Sequence, residues 1–192
     1  MKQAPKVILA SGSPRRRQLL REQGIVFEIA ESGVPEVPAD TEAPRAYAMR
    51  LAVDKAQAVS ARYPDAFVVG ADTTVVCGDE MLEKPESAAD ARRMLKLLSG
   101  RTHIVITAFA IVRDGMVLEG EPVESRVTFR ALSDAEIDAY IATGDPFDKA
   151  GAYGIQSVGA GFISNVEGSR DNVMGLPADR VAAALQRHGA FV

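Results

Sequence analysis

Val7-Ile8-Leu9-Ala10-Ser11-Gly12-Ser13-Pro14-Arg15-Arg16-Arg17 reads as a strand, a tight turn and the start of a helix, in that order. Val7 to Ala10 is a short apolar run without alternation, the pattern of a buried strand. Ser13 suits the N-cap and Pro14 the first helical position, where a missing N–H costs nothing. The helix turns Leu19 and Leu20 inward and stops at Gly24. A strand feeding directly into a helix is the building unit of α/β proteins. The turn also carries chemistry. A helix start presents unpaired N–H groups and the positive end of its dipole, so it favours an anion. Ser11, Ser13, Arg15 and Arg16 add hydroxyl and guanidinium donors suited to phosphate oxygens. Basic residues in the first turn oppose the dipole, so local stability alone would not select them. A bound anion resolves that conflict; the plainer alternative is a capped helix with a solvated arginine run. It is not a Walker loop, because Gly-x-x-x-x-Gly-Lys is absent.

Outward from this unit, strands and helices interleave. Val26–Ala30 reads as a strand, followed by a proline-containing loop from Glu31 to Pro44 and a helix from Arg45 to Ala61. Ala48, Leu51, Ala52, Lys55 and Val59 share one face of that helix. Phe67–Ala71 is a buried strand that reaches Asp72, and Thr74–Cys77 continues extended to a turn at Gly78-Asp79. Ser87–Leu98 is a capped helix ending at Gly100; His103–Val112 and Met116–Leu118 form a hairpin around Asp114-Gly115. A further strand spans Val123–Arg130, and Ser133-Asp134-Ala135-Glu136 opens another helix. Glycine-rich strands and turns fill Gly151–Gly168, and Pro177–Gln186 closes the chain as a helix. The expectation is an α/β fold with a mixed, twisted sheet and flanking helices, in a single domain over residues 1–192.

Four segments are candidates for function. The first is the Ser11–Arg16 turn. The second is Val69-Gly70-Ala71-Asp72-Thr73-Thr74, where a carboxylate at a buried strand end could ligate a divalent metal or activate water; a simple turn is the alternative. The third groups Lys55 and Lys84 with Glu36 and Glu83. A lysine on an apolar helix face must snorkel or meet an anion. Pro85 holds the backbone of Lys84 extended. The fourth is Lys149-Ala-Gly-Ala-Tyr-Gly-Ile-Gln156, whose small residues would let a flat ligand approach a strand, with Gln156 offering a donor and an acceptor to a base edge. Close packing of a glycine-rich strand is the alternative there.

Bulk properties narrow the class. The chain has 192 residues, 47% of them hydrophobic and 25% charged, enough for a normal core without staples. A net charge of -4 argues against a nucleic-acid-binding surface. A single cysteine, Cys77, in an apolar run reads as a buried hydrophobe in a reducing compartment. No run approaches the roughly 18 apolar residues of a membrane span, so a cytoplasmic protein is expected. Two histidines and no Cys-His cluster argue against a zinc centre, and no Gly-x-Ser-x-Gly elbow supports serine hydrolysis.

Taken in order, Leu9-Ala-Ser-Gly-Ser-Pro-Arg-Arg16, Ala52–Ala56, Val69-Gly-Ala-Asp-Thr-Thr-Val75, Leu82-Glu-Lys-Pro85, Leu98-Ser-Gly-Arg-Thr-His103, Asp148-Lys-Ala-Gly-Ala-Tyr-Gly-Ile-Gln156 and Gly175-Leu-Pro177 closely resemble the Maf family of nucleotide pyrophosphatases. The resemblance implies two lobes around a nucleotide cleft, related to the inosine-triphosphate pyrophosphatase architecture. It implies hydrolysis of a nucleoside triphosphate to monophosphate and pyrophosphate with a divalent cation (Mg²⁺, or Mn²⁺ or Co²⁺), and a homodimer. Position by position, it makes Asp72 the general base, with Lys55 and Lys84 beside it. Ser11, Arg16, Lys55 and Lys84 fall on phosphate-holding positions, Glu36 joins Asp72 at the metal, and Arg15, Thr73 and Gln156 fall on specificity positions. Thr73 and Gln156 resemble the branch acting on dTTP and UTP. The competing expectation is a nucleotide-binding regulator of division or septum formation with no catalysis. Relatives commonly carry an aromatic residue near Arg170, a valine at Met174 and an aspartate-rich spelling before Glu36, none of which this chain has.

Overall fold

The computed structural model describes residues 5–39 and 41–191. In chain order the elements are β1 (Val7–Leu9), α1 (Pro14–Glu22), β2 (Glu28–Ile29), α2 (Pro44–Ser60), β3 (Phe67–Cys77), β4 (Glu80–Leu82), α3 (Ala88–Leu98), β5 (Thr102–Arg113), β6 (Met116–Phe129), α4 (Asp134–Ala142), β7 (Ile163–Glu167), α5 (Arg170–Met174) and α6 (Ala178–Arg187). Three 3-10 turns, Asp145–Asp148, Ala150–Ala152 and Val158–Phe162, lie between α4 and β7. The strands pair in the order β2-β1-β3-β5-β6-β7, with β4 paired to β3, in a seven-stranded sheet. It is mixed: β1 runs parallel to β2 and β3, whereas β3–β4 and β6–β7 are antiparallel. The expected α/β class with flanking helices is what the chain adopts. No helix among the described residues is long and apolar enough to cross a membrane.

The chain divides into two compact units. The first comprises Met1–Asp72, Thr107–Val123 and Gly175–Val192. Its core includes Ile8, Leu9, Leu19, Leu20, Leu51, Val68, Val69, Leu176, Val181 and Leu185, all buried. The second comprises Thr73–Ile106 and Glu124–Met174. Its core gathers Leu82, Met94, Leu95, Leu98, Phe129, Tyr140, Tyr153 and Phe162. Cys77 packs there as a hydrophobe, and burial pushes its thiol pKa up.

Four local readings are corrected. Asp72 does not end a strand: β3 runs unbroken through Asp72, Thr73 and Thr74 to Cys77. Asp and Thr after glycine suggest a turn, but β4 pairs with Val75–Cys77 and keeps the chain extended through them. The strand expected at 26–30 shrinks to Glu28–Ile29, which pair with Ile8 and Leu9; Val26 is 90% exposed at the sheet edge, where nothing holds it. The strand expected from Val123 is the end of a long β6, joined to β5 through Asp114 and Gly115, both at positive φ as a two-residue hairpin turn demands. The segment from 149 to 156 is not a strand. It holds a 3-10 turn at Ala150–Ala152, with Gly151 and Ala152 both left-handed (φ 69° and 62°).

Candidate functional site

The first unit assembles most of the expected residues around Asp72. The close approach begins at Gly70: a Cβ there would stand 2.1 Å from the Ala52 carbonyl oxygen and 2.8 Å from the Ala56 nitrogen. Only a residue without a side chain lets α2 lie this tightly on β3. Lys55, one turn along α2 from Ala52, then reaches Asp72, two residues beyond Gly70. Its Nζ donates to Asp72 Oδ1 at 2.7 Å and to Glu36 Oε1 at 2.6 Å. The Lys55 and Asp72 side chains are 7% and 6% exposed, whereas that of Glu36 is 32% exposed, so the pair opens toward solvent at Glu36. The lysine that stood out on an apolar helix face meets two carboxylates.

Asp72 Oδ2 is buried and has no hydrogen-bond partner among the described residues. A buried acceptor left unpaired costs about 1–3 kcal/mol. An open acceptor of this kind can take a hydrogen-bond donor or a cation.

The Ser11–Arg16 turn lies against the same strand. The Ala10 N–H donates to the Val69 carbonyl at 2.8 Å, continuing the parallel pairing. The cap is not as expected. Ser13 occupies the N-cap position but its hydroxyl makes no capping bond; instead its own N–H donates to Ser11 Oγ at 3.2 Å. Ser11 therefore orders the turn. Arg16 folds back across it: Nη1 donates to the Ala71 carbonyl at 2.9 Å and, at the long limit of 3.4 Å, to Ser11 Oγ, while Nε donates to the Gly175 carbonyl at 2.7 Å. Burial lowers the Arg16 pKa from its ordinary value, the Asp72 and Glu36 carboxylates oppose that, and Arg15 adds to it. Arg16 thus senses both acids and fixes the peptide beside Asp72. Arg17 is half-buried and donates to the Gly12 carbonyl.

Arginines that the sequence reading overlooked hold the loop carrying Glu36. Arg50 grips both Glu42 carboxylate oxygens at 2.8 and 2.7 Å and donates to the Val37 carbonyl at 3.0 Å. Arg62 donates to the Glu31 carbonyl at 2.6 Å. Both arginines sit amid or just after a helical pattern, where they read as solvated surface; only the folded loop reveals their bonds.

The remaining expected residues belong to the second unit, where three motif segments are bonded to one another. Thr74 Oγ1 donates to Glu83 Oε1 at 2.8 Å, and the Gly151 N–H donates to the Glu83 carbonyl at 3.2 Å. Thr73 is half-buried on β3, Lys84 is exposed after β4, and Gln156 is exposed on a turn. Glu83, grouped with the acids without a role of its own, is the tie between them.

A divalent cation can be weighed against these groups. No cluster of three or more His, Cys, Asp or Glu residues suited to a metal occurs among the described residues. Asp72 with its open oxygen, and Glu36 held beside it through Lys55, form a two-carboxylate set. Mg²⁺ commonly takes one or two carboxylates and fills its shell with water and substrate phosphates. The residues present fit that kind of ion.

Known proteins with similar sequences cover nearly the whole chain. A protein named dTTP/UTP pyrophosphatase from Koribacter versatilis is 49% identical over 96% of this chain and 95% of its own. A protein of the same name from Geobacter sulfurreducens is 48% identical over 97% of this chain and 98% of its own. Among solved structures, a nucleoside-triphosphatase (dITP/XTP pyrophosphatase) from Mycobacterium abscessus is a distant likeness, 17% identical, covering 96% of this chain and 94% of that one with a TM-score of 0.41. The family described as Maf-like protein matches residues 6–188, and the chain belongs to it.

Proposed function

We propose that this chain hydrolyses nucleoside triphosphates, dTTP and UTP foremost, to the monophosphate and pyrophosphate, as one catalytic domain. The names of its relatives support the substrate class. The observation that carries the chemistry is Asp72: one oxygen held by Lys55, the other buried and without a partner, beside a turn built for an anion. A protein that only binds nucleotides needs no such oxygen.

In this reading the phosphates meet the N–H groups of the Ser11–Ser13 turn, the Ser11 and Ser13 hydroxyls and the Arg16 guanidinium. Water attacks the α-phosphorus, and Asp72 Oδ2 takes its proton. Lys55 keeps Oδ1 in place, so the free oxygen faces the water in one orientation. Pyrophosphate leaves as a unit, with Lys55 and Arg16 offsetting the charge that builds on it; the family resemblance assigns Lys84 the same role. Lys55 and Arg16 balance the charges of Asp72 and Glu36, so the polyanion enters a nearly neutral centre. A divalent ion, Mg²⁺ or Mn²⁺ or Co²⁺, held by Glu36 and Asp72, would supply the missing positive charge and orient the phosphates. By the family resemblance, Arg15, Thr73 and Gln156 are assigned to selection of the base.

Asp72→Asn keeps the size of the side chain and removes the base. Turnover of dTTP should fall about 10²–10⁴-fold, the usual worth of a positioned general base, with nucleotide binding retained. Binding without turnover in the unaltered protein would favour the division-regulator reading. Near-normal turnover of Asp72→Asn would remove Asp72 as the base.

A further inference from the structure

Lys149 lies in the second unit with its side chain only 9% exposed. Its ammonium donates to the Asp145 carbonyl, to Asp145 Oδ1 at 2.9 Å and to Asp148 Oδ1 at 2.6 Å. The other Asp145 oxygen accepts from the Tyr140 hydroxyl. That hydroxyl in turn accepts from the Gly154 N–H at 3.3 Å. Ser157 Oγ donates to the Gly154 carbonyl at 3.1 Å. Both backbone polar groups of Gly154 are therefore fixed by side chains, two residues before Gln156. The lysine stem lies against the same glycine, since a Cβ there would stand 2.7 Å from Lys149 Cε.

Fold stability does not account for this arrangement. Replacing a buried ion pair with apolar residues of similar volume is often neutral or stabilising. Ala152, fully buried inside the loop, is left-handed at φ 62°. Such strain persists only where the surroundings over-determine the backbone. The polar network encloses a strained loop whose exposed product is the Gln156 side chain. We propose that Tyr140, Asp145 and Lys149 are positioning residues for base selection: they fix the Gly154 peptide and so the direction in which Gln156 leaves the chain. This rests on the reading of Gln156 as the base-reading residue. A primary amide distinguishes bases only if its donor and acceptor ends are presented in one orientation.

Tyr140→Phe tests the network with the least disturbance. It removes one hydroxyl and keeps the ring that packs edge-on to Phe162 at 5.2 Å. The kcat and KM of the unaltered protein, Tyr140→Phe, Lys149→Met, Gln156→Ala and the Tyr140→Phe/Gln156→Ala pair are measured on dTTP, UTP, CTP and dGTP, with thermal melting as a check on folding. Tyr140→Phe should cut the kcat/KM preference for the favoured base about 10-fold, the scale of one hydrogen bond. The change should lie mainly in KM, and the double variant should be no less selective than Gln156→Ala. If Lys149→Met melts, Tyr140→Phe decides alone. Loss of selectivity in Gln156→Ala but not in Tyr140→Phe would overturn the network and spare Gln156. Full selectivity in Gln156→Ala would overturn the reading of Gln156 and the network with it. An equal drop in kcat for every nucleotide, with the preference unchanged, would assign Tyr140 to folding and overturn the proposal.

Discussion

Acid should destabilise this protein through His103. The imidazole is 1% exposed in the second unit, edge-on to Phe129 and Tyr153 with ring centroids at 5.0 and 5.3 Å. Nε2 lies 2.7 Å from the Tyr153 hydroxyl, and Nδ1 has no hydrogen-bond partner among the described residues. Burial therefore lowers its pKa from 6.5 to about 4. The folded value lies below the unfolded one, so the unfolded chain takes up the proton first. The stability this group contributes is complete above pH ~6.5 and is lost as pH falls from there toward ~4. The fall from 6.5 to about 4, at 1.36 kcal/mol per pH unit, corresponds to about 3 kcal/mol. For a chain of this size that lowers the melting temperature by roughly 6–12 °C. Urea unfolding of the unaltered protein and of His103→Phe, from pH 7.5 to about 4.5, isolates the effect. Orphaning the Tyr153 hydroxyl lowers the variant's curve by a constant, whereas the histidine contributes a slope. The difference between the two should therefore shrink by about 1.4 kcal/mol for each pH unit below ~6. Parallel curves over that range would refute the reasoning.

Lys55→Met leaves Asp72 and Glu36 facing each other with no cation between them, and urea unfolding should show a loss of about 3–5 kcal/mol; a loss under about 1 kcal/mol would mean that the bridge is not formed in solution. Gly70→Ala forces α2 off β3, because the new methyl would stand 2.1 Å from the Ala52 carbonyl oxygen. Thermal melting should report a loss of at least about 1–3 kcal/mol, and turnover should fall further than stability explains as Lys55 is carried from Asp72. Glu36→Gln keeps the size of the side chain while removing a carboxylate, so the Mg²⁺ concentration for half-maximal activity should rise about 10–100-fold; an unchanged metal requirement would take Glu36 out of the metal site.

Much of the centre was legible before folding was considered, and the reasons are local. Lys55 on an apolar helix face and arginines at a helix start are both locally unfavourable, so each pointed to a charge elsewhere in the fold. The structure supplies that charge for Lys55 in Asp72 and Glu36. What sequence did not reveal depends on contacts between distant segments. Nothing local to Gly70 signals that the Ala52 backbone lies against it. Asp72 and Thr73 suggest a turn, because β pairing of Val75–Cys77 with Glu80–Leu82 is invisible locally. The 149–156 segment was taken for a strand because its small residues suit one. Its left-handed pair, Gly151 and Ala152, is held by bonds to Glu83 and Lys149 that no spacing predicts.

The central claim is that water attacks the α-phosphorus of a nucleoside triphosphate at Asp72. Hydrolysis of dTTP in ¹⁸O-water with Mg²⁺, followed by mass analysis of both products, tests it directly. One ¹⁸O should appear in dTMP and none in pyrophosphate, with the reaction nearly abolished in Asp72→Asn. Label in pyrophosphate, or release of dTDP and labelled phosphate, would contradict it.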